Sequence, residues 1–107
     1  MKGILWKKGK KLKGWKPRYF ELRDNFLFYY EKKPEDLPKG RKTKIDIQFE
    51  GIIYLSGCNI ERTADYYITK KCGFVITCKD SGYPPRYLYC TSPGELDEWM
   101  RHLGKFQ

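Results

Sequence analysis

Residues 3–31 read GILWKKGKKLKGWKPRYFELRDNFLFYYE, and this stretch decides the fold. Three of its segments, residues 4–8, 15–23 and 26–31, are rich in the aromatic and branched apolar residues that favour β-strands. A glycine-flanked loop joins the first two segments, and a short turn at Asp24 and Asn25 joins the second and third. The stretch therefore predicts two consecutive β-hairpins.

Strand alternation predicts which side chains of these hairpins share a face, because successive side chains point to opposite sides of a sheet. We expect Leu5 opposite Phe20, which places Lys7 opposite Arg18, and we expect Phe20 opposite Tyr29 in the second hairpin. The apolar inner face then continues toward the loop with three cations: Lys7, Lys16 and Arg18. An unpaired charge is too costly to bury in a closed core. We therefore expect these cations at an open end of the sheet, where they meet water or a ligand.

The positive charge of the chain is concentrated in the same stretch. The 107 residues carry a net charge of +9, and eight of the 22 Lys and Arg residues fall within the first 18 residues, which contain no Asp or Glu. Residues 32–44 form a second basic region, a long polar loop. A basic surface alone is only an electrostatic footprint, so the placement of the cations carries the functional argument.

The rest of the chain predicts more strands and then a helix. Strands are expected at residues 46–55, 58–63, 73–79 and 86–91. Ser92 can cap a helix that begins at Pro93, and Glu95 completes a capping box. Apolar residues then recur at helical spacing: Leu96, Trp99, Met100 and Leu103. About seven strands and one C-terminal helix, which Gly104 can end, predict a mainly β domain that curls into a sandwich or barrel.

Catalysis finds no support in the sequence. The single histidine, His102, lies on the terminal helix, where no Ser-His-Asp or Cys-His arrangement can be built around it. Neither of the glycine-rich phosphate-binding motifs of nucleotide-binding enzymes occurs. We therefore predict a protein that is not an enzyme and that needs no cofactor.

The cysteines and the hydropathy pattern indicate the compartment. The four cysteines, Cys58, Cys72, Cys78 and Cys90, lack metal-ligand spacing. We expect them to be reduced and structural, with a disulfide or a metal site as the alternative. No secretory signal is visible, and no apolar run reaches the roughly 18 residues of a membrane span. These features predict a cytoplasmic domain.

Four parts of the chain resemble the pleckstrin homology (PH) domain family. The opening stretch is similar to the first strands of such a domain, GIIYL (51–55) and RYLYCTSPGE (86–95) fit later strands, and ELDEWMRHL (95–103) resembles its C-terminal helix with the family's tryptophan at Trp99. The resemblance implies two nearly orthogonal antiparallel sheets, of four and three strands, capped by the helix. It also implies that residues 1–107 are one domain, a monomer by itself, cut from a larger protein.

The same family has a phosphoinositide-binding signature, which implies a set of headgroup-binding residues: Lys7, Lys11, Lys16, Arg18 and Tyr29. Further cations can act through the field of an anionic membrane without touching the headgroup. These auxiliary residues are Lys8, Lys10, Lys13, Arg41 and Lys42. Members that prefer 3-phosphorylated lipids often carry a basic residue before the fourth strand. Glu50 stands there in this chain, which argues against such a preference.

The predicted function is binding to a polyphosphorylated inositol lipid, a class that includes the 3-phosphorylated ones. Such binding would recruit the protein to the cytoplasmic face of the plasma membrane or of endomembranes. One alternative is a protein-interaction domain with only weak, nonspecific binding to anionic membranes. Nucleic acid is not expected as a partner, because the cations concentrate at one loop and do not spread along a base-stacking face.

Overall fold

Within the residues that the computed structural model describes, 1–8, 14–33, 49–63, 72–79 and 82–106, the chain forms seven antiparallel strands and one α-helix. The strands are β1 (Lys2–Lys8), β2 (Trp15–Arg23), β3 (Phe26–Tyr30), β4 (Gly51–Tyr54), β5 (Cys58–Arg62), β6 (Gly73–Cys78) and β7 (Arg86–Tyr89). Helix α1 (Pro93–Leu103) follows and runs into a 3₁₀ turn (Gly104–Phe106).

The strands form one continuous sheet in the order β4-β3-β2-β1-β7-β6-β5. Strands β1 to β4 form one meander and β5 to β7 a second, which agrees with the predicted grouping into four and three strands, but the two groups belong to one sheet and not to the two sheets expected. The two meanders are joined because β1 also pairs with β7, with Trp6 opposite Tyr89 and Lys7 opposite Leu88. This junction brings the end of β1 beside the last strand, and the predicted PH-like fold class is confirmed.

The register of the second hairpin agrees with the prediction, and that of the first differs. Phe20 lies opposite Tyr29 as expected. In the first hairpin, however, Leu5 lies opposite Arg18 and Lys7 opposite Lys16, so the predicted pairings are wrong by two residues. The observed register extends strand pairing up to Lys8 and Trp15, at the edge of the loop. A shift of two residues leaves every side chain on its predicted face, because the period of a strand is two.

The core lies between the inner face of the sheet and α1. Leu5, Phe20 and Leu27 are fully buried there, and the indole of Trp99 lies against the backbone of Gly3. Ser92 is the N-cap of α1, and its hydroxyl accepts a hydrogen bond from the Glu95 N–H at 3.2 Å. The predicted amphipathic helix with Trp99 in the core is therefore confirmed. Among the described residues, no helix is long and apolar enough to cross a membrane.

Two of the four cysteines form a disulfide, which corrects the expectation that all are reduced. Cys58 on β5 and Cys78 on β6 lie directly opposite each other and are bonded. Their long-range pairing puts the two sulfur atoms together, and the sequence spacing alone does not reveal it. Cys72 and Cys90 are free and buried, and burial raises the pKa of the Cys90 thiol to about 11. In the part of the chain that is described, no group of His, Cys, Asp or Glu is arranged to hold a metal ion.

Candidate functional site

The inner face changes from apolar to cationic along β1 and β2. Leu5 is fully buried, Lys7 is half-buried, and Lys16, opposite Lys7, is exposed. Arg18 lies opposite Leu5 on the same face, and its side chain is only 16% exposed. The core therefore opens to solvent at this end of the hairpin, where the sequence places Lys7, Lys16 and Arg18.

A fourth cation joins these three from β7. Arg86 is the first residue of that strand, and it lies close enough to lower the pKa of Lys7 by charge repulsion. Its guanidinium lies over the ring of Tyr83, 4.4 Å from the ring centroid. Sequence reasoning missed Arg86 because only the pairing of β1 with β7 makes it a neighbour of Lys7. We call Lys7, Lys16, Arg18 and Arg86 the cationic cluster.

Tyr29 supports the cluster from β3. The Lys7 ammonium lies 4.9 Å from the centroid of the Tyr29 ring, which stacks on Phe20 with centroids 5.2 Å apart. The same ring covers the backbone of Gly51, its cross-strand partner on β4. A β-carbon at residue 51 would lie 2.2 Å from the Cζ atom and the hydroxyl oxygen of Tyr29. Glycine is therefore required there if Tyr29 is to lie flat beneath Lys7.

The Arg18 guanidinium is already paired with a carboxylate. Its Nε lies 3.1 and 3.2 Å from the two carboxylate oxygens of Glu50, and its Nη1 donates to the Pro17 carbonyl at 2.9 Å. The Glu50 backbone N–H in turn donates to the Tyr29 carbonyl at 2.7 Å, which fixes Glu50 at the start of β4. The residue that departs from the family's pattern for 3-phosphate recognition thus lies in direct contact with the predicted phosphate anchor.

The electrostatics of the cluster favour an added anion. Burial is the largest cause that lowers the pKa of Lys7, and its neighbours Arg18, Arg86 and Lys16 lower it further. Glu50 acts in the opposite direction and raises the pKa of Lys7. Within the described part of the chain, four cations thus face one acid in a partly desolvated position, where charge interactions are stronger than in bulk water. An anion that enters would offset the remaining repulsion.

A pocket of about 260 Å³ lies beside the cluster. The core residues Phe20, Ile53 and Leu88 form part of its lining, together with Tyr83 and the two prolines that precede β7. Lys7, Lys8, Tyr29 and Arg86 also line it. Its lining therefore combines apolar and aromatic side chains with three cations, while Lys16 and Arg18 lie outside the lining.

The structure brings four of the predicted headgroup residues together: Lys7, Lys16, Arg18 and Tyr29. Lys8 is exposed at the end of β1, opposite Trp15. The remaining predicted residues lie outside the described part of the chain: Lys10, Lys11, Lys13, Arg41 and Lys42.

Comparison with known proteins identifies the family. A family model described as PH domain matches residues 1–107, and the chain belongs to this family. Switch-associated protein 70 of Gallus gallus is 37% identical over 101 residues, and the chain spans 15% of that protein's length.

Two solved structures of the C-terminal PH domain of pleckstrin, each in complex with an inositol pentakisphosphate, share the fold. For the complex with D-myo-Ins(1,2,3,5,6)P5 the TM-score is 0.74 with 26% identity, over 98% of this chain and 91% of that one. For the complex with D-myo-Ins(1,2,3,4,5)P5 the TM-score is 0.72 with 27% identity, over 100% and 96%.

Proposed function

We propose that this domain binds a polyphosphorylated inositol headgroup at the cationic cluster and so brings its protein to a membrane. The observation that carries the proposal is the convergence of Lys7, Arg18 and Arg86 from three strands on one partly desolvated position. Cations that are held this close together repel one another, and a ligand with several phosphates would offset that repulsion. The inositol pentakisphosphates bound to the C-terminal PH domain of pleckstrin support the same ligand class.

Each residue has a role that follows from its chemistry. The planar guanidinium of Arg18 offers a fork of N–H donors that matches two phosphate oxygens, whereas Lys7 and Lys16 act as point charges. Lys11 would approach from the loop between β1 and β2, and the Tyr29 hydroxyl can donate a hydrogen bond. Lys8, Lys10, Lys13, Arg41 and Lys42 would each add on the order of 1 kcal/mol through the surface potential of an anionic leaflet.

The proposed setting is a larger protein that uses this domain as its membrane-binding module at the cytoplasmic face. In this proposal the domain is a binding module and not an enzyme, because PH domains are generally non-enzymatic binding modules. We assign no preference for the 3-phosphate, since the carboxylate of Glu50 lies beside Arg18. The ligand is therefore named by its phosphate density and not by its isomer.

Liposome cosedimentation with a panel of phosphoinositides tests the proposal. The wild-type domain should sediment with vesicles that contain a polyphosphorylated inositol lipid, and Arg18→Ala should abolish this at near-physiological salt. Arg62→Ala is the matched control, because it removes the same charge and breaks the ion pair of Arg62 with Asp97 on α1. Equally weak binding of wild type and Arg18→Ala to every lipid would overturn the proposal.

The alternative function, protein interaction with weak membrane binding, has one supporting observation. The outer face at β3 and β4 exposes four large apolar side chains, each at least 40% accessible: Phe26, Phe49, Ile52 and Tyr54. Large exposed apolar patches often mark protein–protein interaction sites. If liposome binding follows only total lipid charge, collapses with salt and ignores Arg18→Ala, the protein-interaction function replaces the lipid-binding one.

A further inference from the structure

We propose that Glu50 is an internal competitor that occupies the phosphate-binding edge of Arg18 and sets the affinity of the site. A ligand phosphate must displace the carboxylate before it can bind the Nε edge of the guanidinium. This inference rests on the proposed function, because it concerns the same cationic cluster. It adds an affinity-determining residue that does not itself bind the ligand.

The contact between the two residues occupies the Nε donor of Arg18, one of the donors that a phosphate could use. A carboxylate and a phosphate present similar oxygen pairs to a guanidinium. Glu50 takes Nε with both of its oxygens, and the Pro17 carbonyl takes Nη1. A phosphate that binds the Nε edge of Arg18 therefore replaces Glu50 there.

Backbone contacts hold Glu50 in this position. Its N–H donates to the Tyr29 carbonyl at 2.7 Å, and the next residue, Gly51, lies under the Tyr29 ring. The Arg18 side chain is 16% exposed and that of Glu50 is 38% exposed. The pair is thus less screened than one between fully exposed side chains, whose contribution to stability is usually small. The Glu50 side chain still reaches solvent, so it can turn outward when a stronger anion arrives.

Glu50 also stabilises the cationic cluster itself. Among the described residues, four charged neighbours affect Lys7: three are cations, and Glu50 is the one that attracts its ammonium group. Without ligand, Glu50 offsets part of the repulsion within the cluster. Removal of its charge should therefore destabilise the free domain and strengthen ligand binding at the same time. A residue that merely holds Arg18 in place for the ligand would give the opposite result for binding.

Isothermal titration calorimetry with an inositol pentakisphosphate tests the inference. Glu50→Gln should lower Kd by about tenfold, the change expected when one competing charge-assisted contact is removed. The gain in affinity for inorganic phosphate should be smaller than that for the pentakisphosphate, because the repulsion that Glu50 exerts grows with the charge of the ligand. The melting temperature of free Glu50→Gln should fall.

The matched control is Glu98→Gln, which makes the same change in net charge and breaks the ion pair of Glu98 with Arg101 on α1. Its Kd should stay within about twofold of wild type, since it lies outside the site and changes only the long-range field. A similar gain in Glu98→Gln would show that net charge is the cause and would overturn the competitor role.

The outcomes separate the inference from the proposed function. If wild type binds, Arg18→Ala abolishes binding and Glu50→Gln binds no more tightly than wild type, the function stands and the competitor role is overturned. If wild type does not bind but Glu50→Gln does, the competitor role is supported and the proposed function of the natural chain fails. If neither binds, both are overturned.

Discussion

Replacement of Gly51 by alanine tests the close contact between the Tyr29 ring and the backbone of Gly51, beside the cationic cluster. The added β-carbon would lie 2.2 Å from both Cζ and Oη of Tyr29, far inside the roughly 3.5–4.0 Å contact distance of carbon atoms. The ring cannot yield freely, because Phe20 stacks on it at 5.2 Å and the Lys7 ammonium lies over it at 4.9 Å. Either the ring leaves its place or the edge strand β4 moves away.

The expected loss of stability is about 1–2 kcal/mol. Overpacking of a well-filled site costs about 1–3 kcal/mol, and the reduced freedom of the unfolded chain returns about 0.4–1 kcal/mol when alanine replaces glycine. In a Tyr29→Ala background the clash is gone, so the same Gly51→Ala change should be neutral or slightly stabilising. The double-mutant cycle should therefore show a coupling of about 1–3 kcal/mol between residues 29 and 51, which is the overpacking cost itself.

Urea denaturation of the four proteins, followed by tryptophan fluorescence, measures this coupling. Gly94→Ala in the first turn of α1 is the control, because a β-carbon there meets nothing within 4 Å and alanine favours a helix. If Gly51→Ala lowers the free energy of unfolding equally with and without the Tyr29 ring, the ring does not lie on Gly51. The described contact between Tyr29 and Gly51 would then be wrong.

Three further predictions concern the charge, the disulfide and the helix. NMR titration should find the pKa of Lys7 below the ordinary 10.5, lower still in Glu50→Gln, and raised by inositol pentakisphosphate. Reduction of the Cys58–Cys78 bond, which spans 20 residues, should lower the free energy of unfolding by about 3 kcal/mol in urea denaturation. Ser92→Ala should lower the free energy of unfolding by about 1 kcal/mol, also measured with urea, because it removes the N-cap of α1.

Each of these three predictions would be contradicted by a specific result. A lysine whose folded-state pKa is depressed makes stability rise with pH between that pKa and the unfolded value of 10.5, and Lys7→Met should remove this rise. An unchanged pH profile in Lys7→Met would contradict the described environment of Lys7. The disulfide prediction fails if a reductant affects wild type no more than a Cys58→Ser/Cys78→Ser variant. The cap prediction fails if Ser92→Ala leaves the denaturation midpoint in place.

Local patterns in the sequence predict most of the fold. The strands at Trp15–Arg23 and Phe26–Tyr30, the tight turn between them and the capped helix with Trp99 in the core all depend on residues close in sequence. The register of the first hairpin is not fixed in this way. Its loop carries no residue that requires one turn type, and a shift of two residues keeps the same face inward.

Local patterns predict only part of the site as well. Alternation along β1 and β2 is enough to place Lys7, Lys16 and Arg18 on one face, and the resemblance to the PH family adds Tyr29. Arg86 and the pairing of Arg18 with Glu50 depend on contacts between strands far apart in sequence. The same holds for the disulfide, whose two cysteines meet only through the pairing of β5 with β6.

A crystal structure of the domain with an inositol pentakisphosphate tests the central claim most directly. The claim predicts phosphate oxygens within hydrogen-bond distance of the Arg18 guanidinium and the Lys7 ammonium, with Arg86 beside the ligand. It also predicts that the Glu50 carboxylate has left Nε of Arg18. A ligand bound elsewhere on the domain, with Arg18 still paired to Glu50, would contradict the claim.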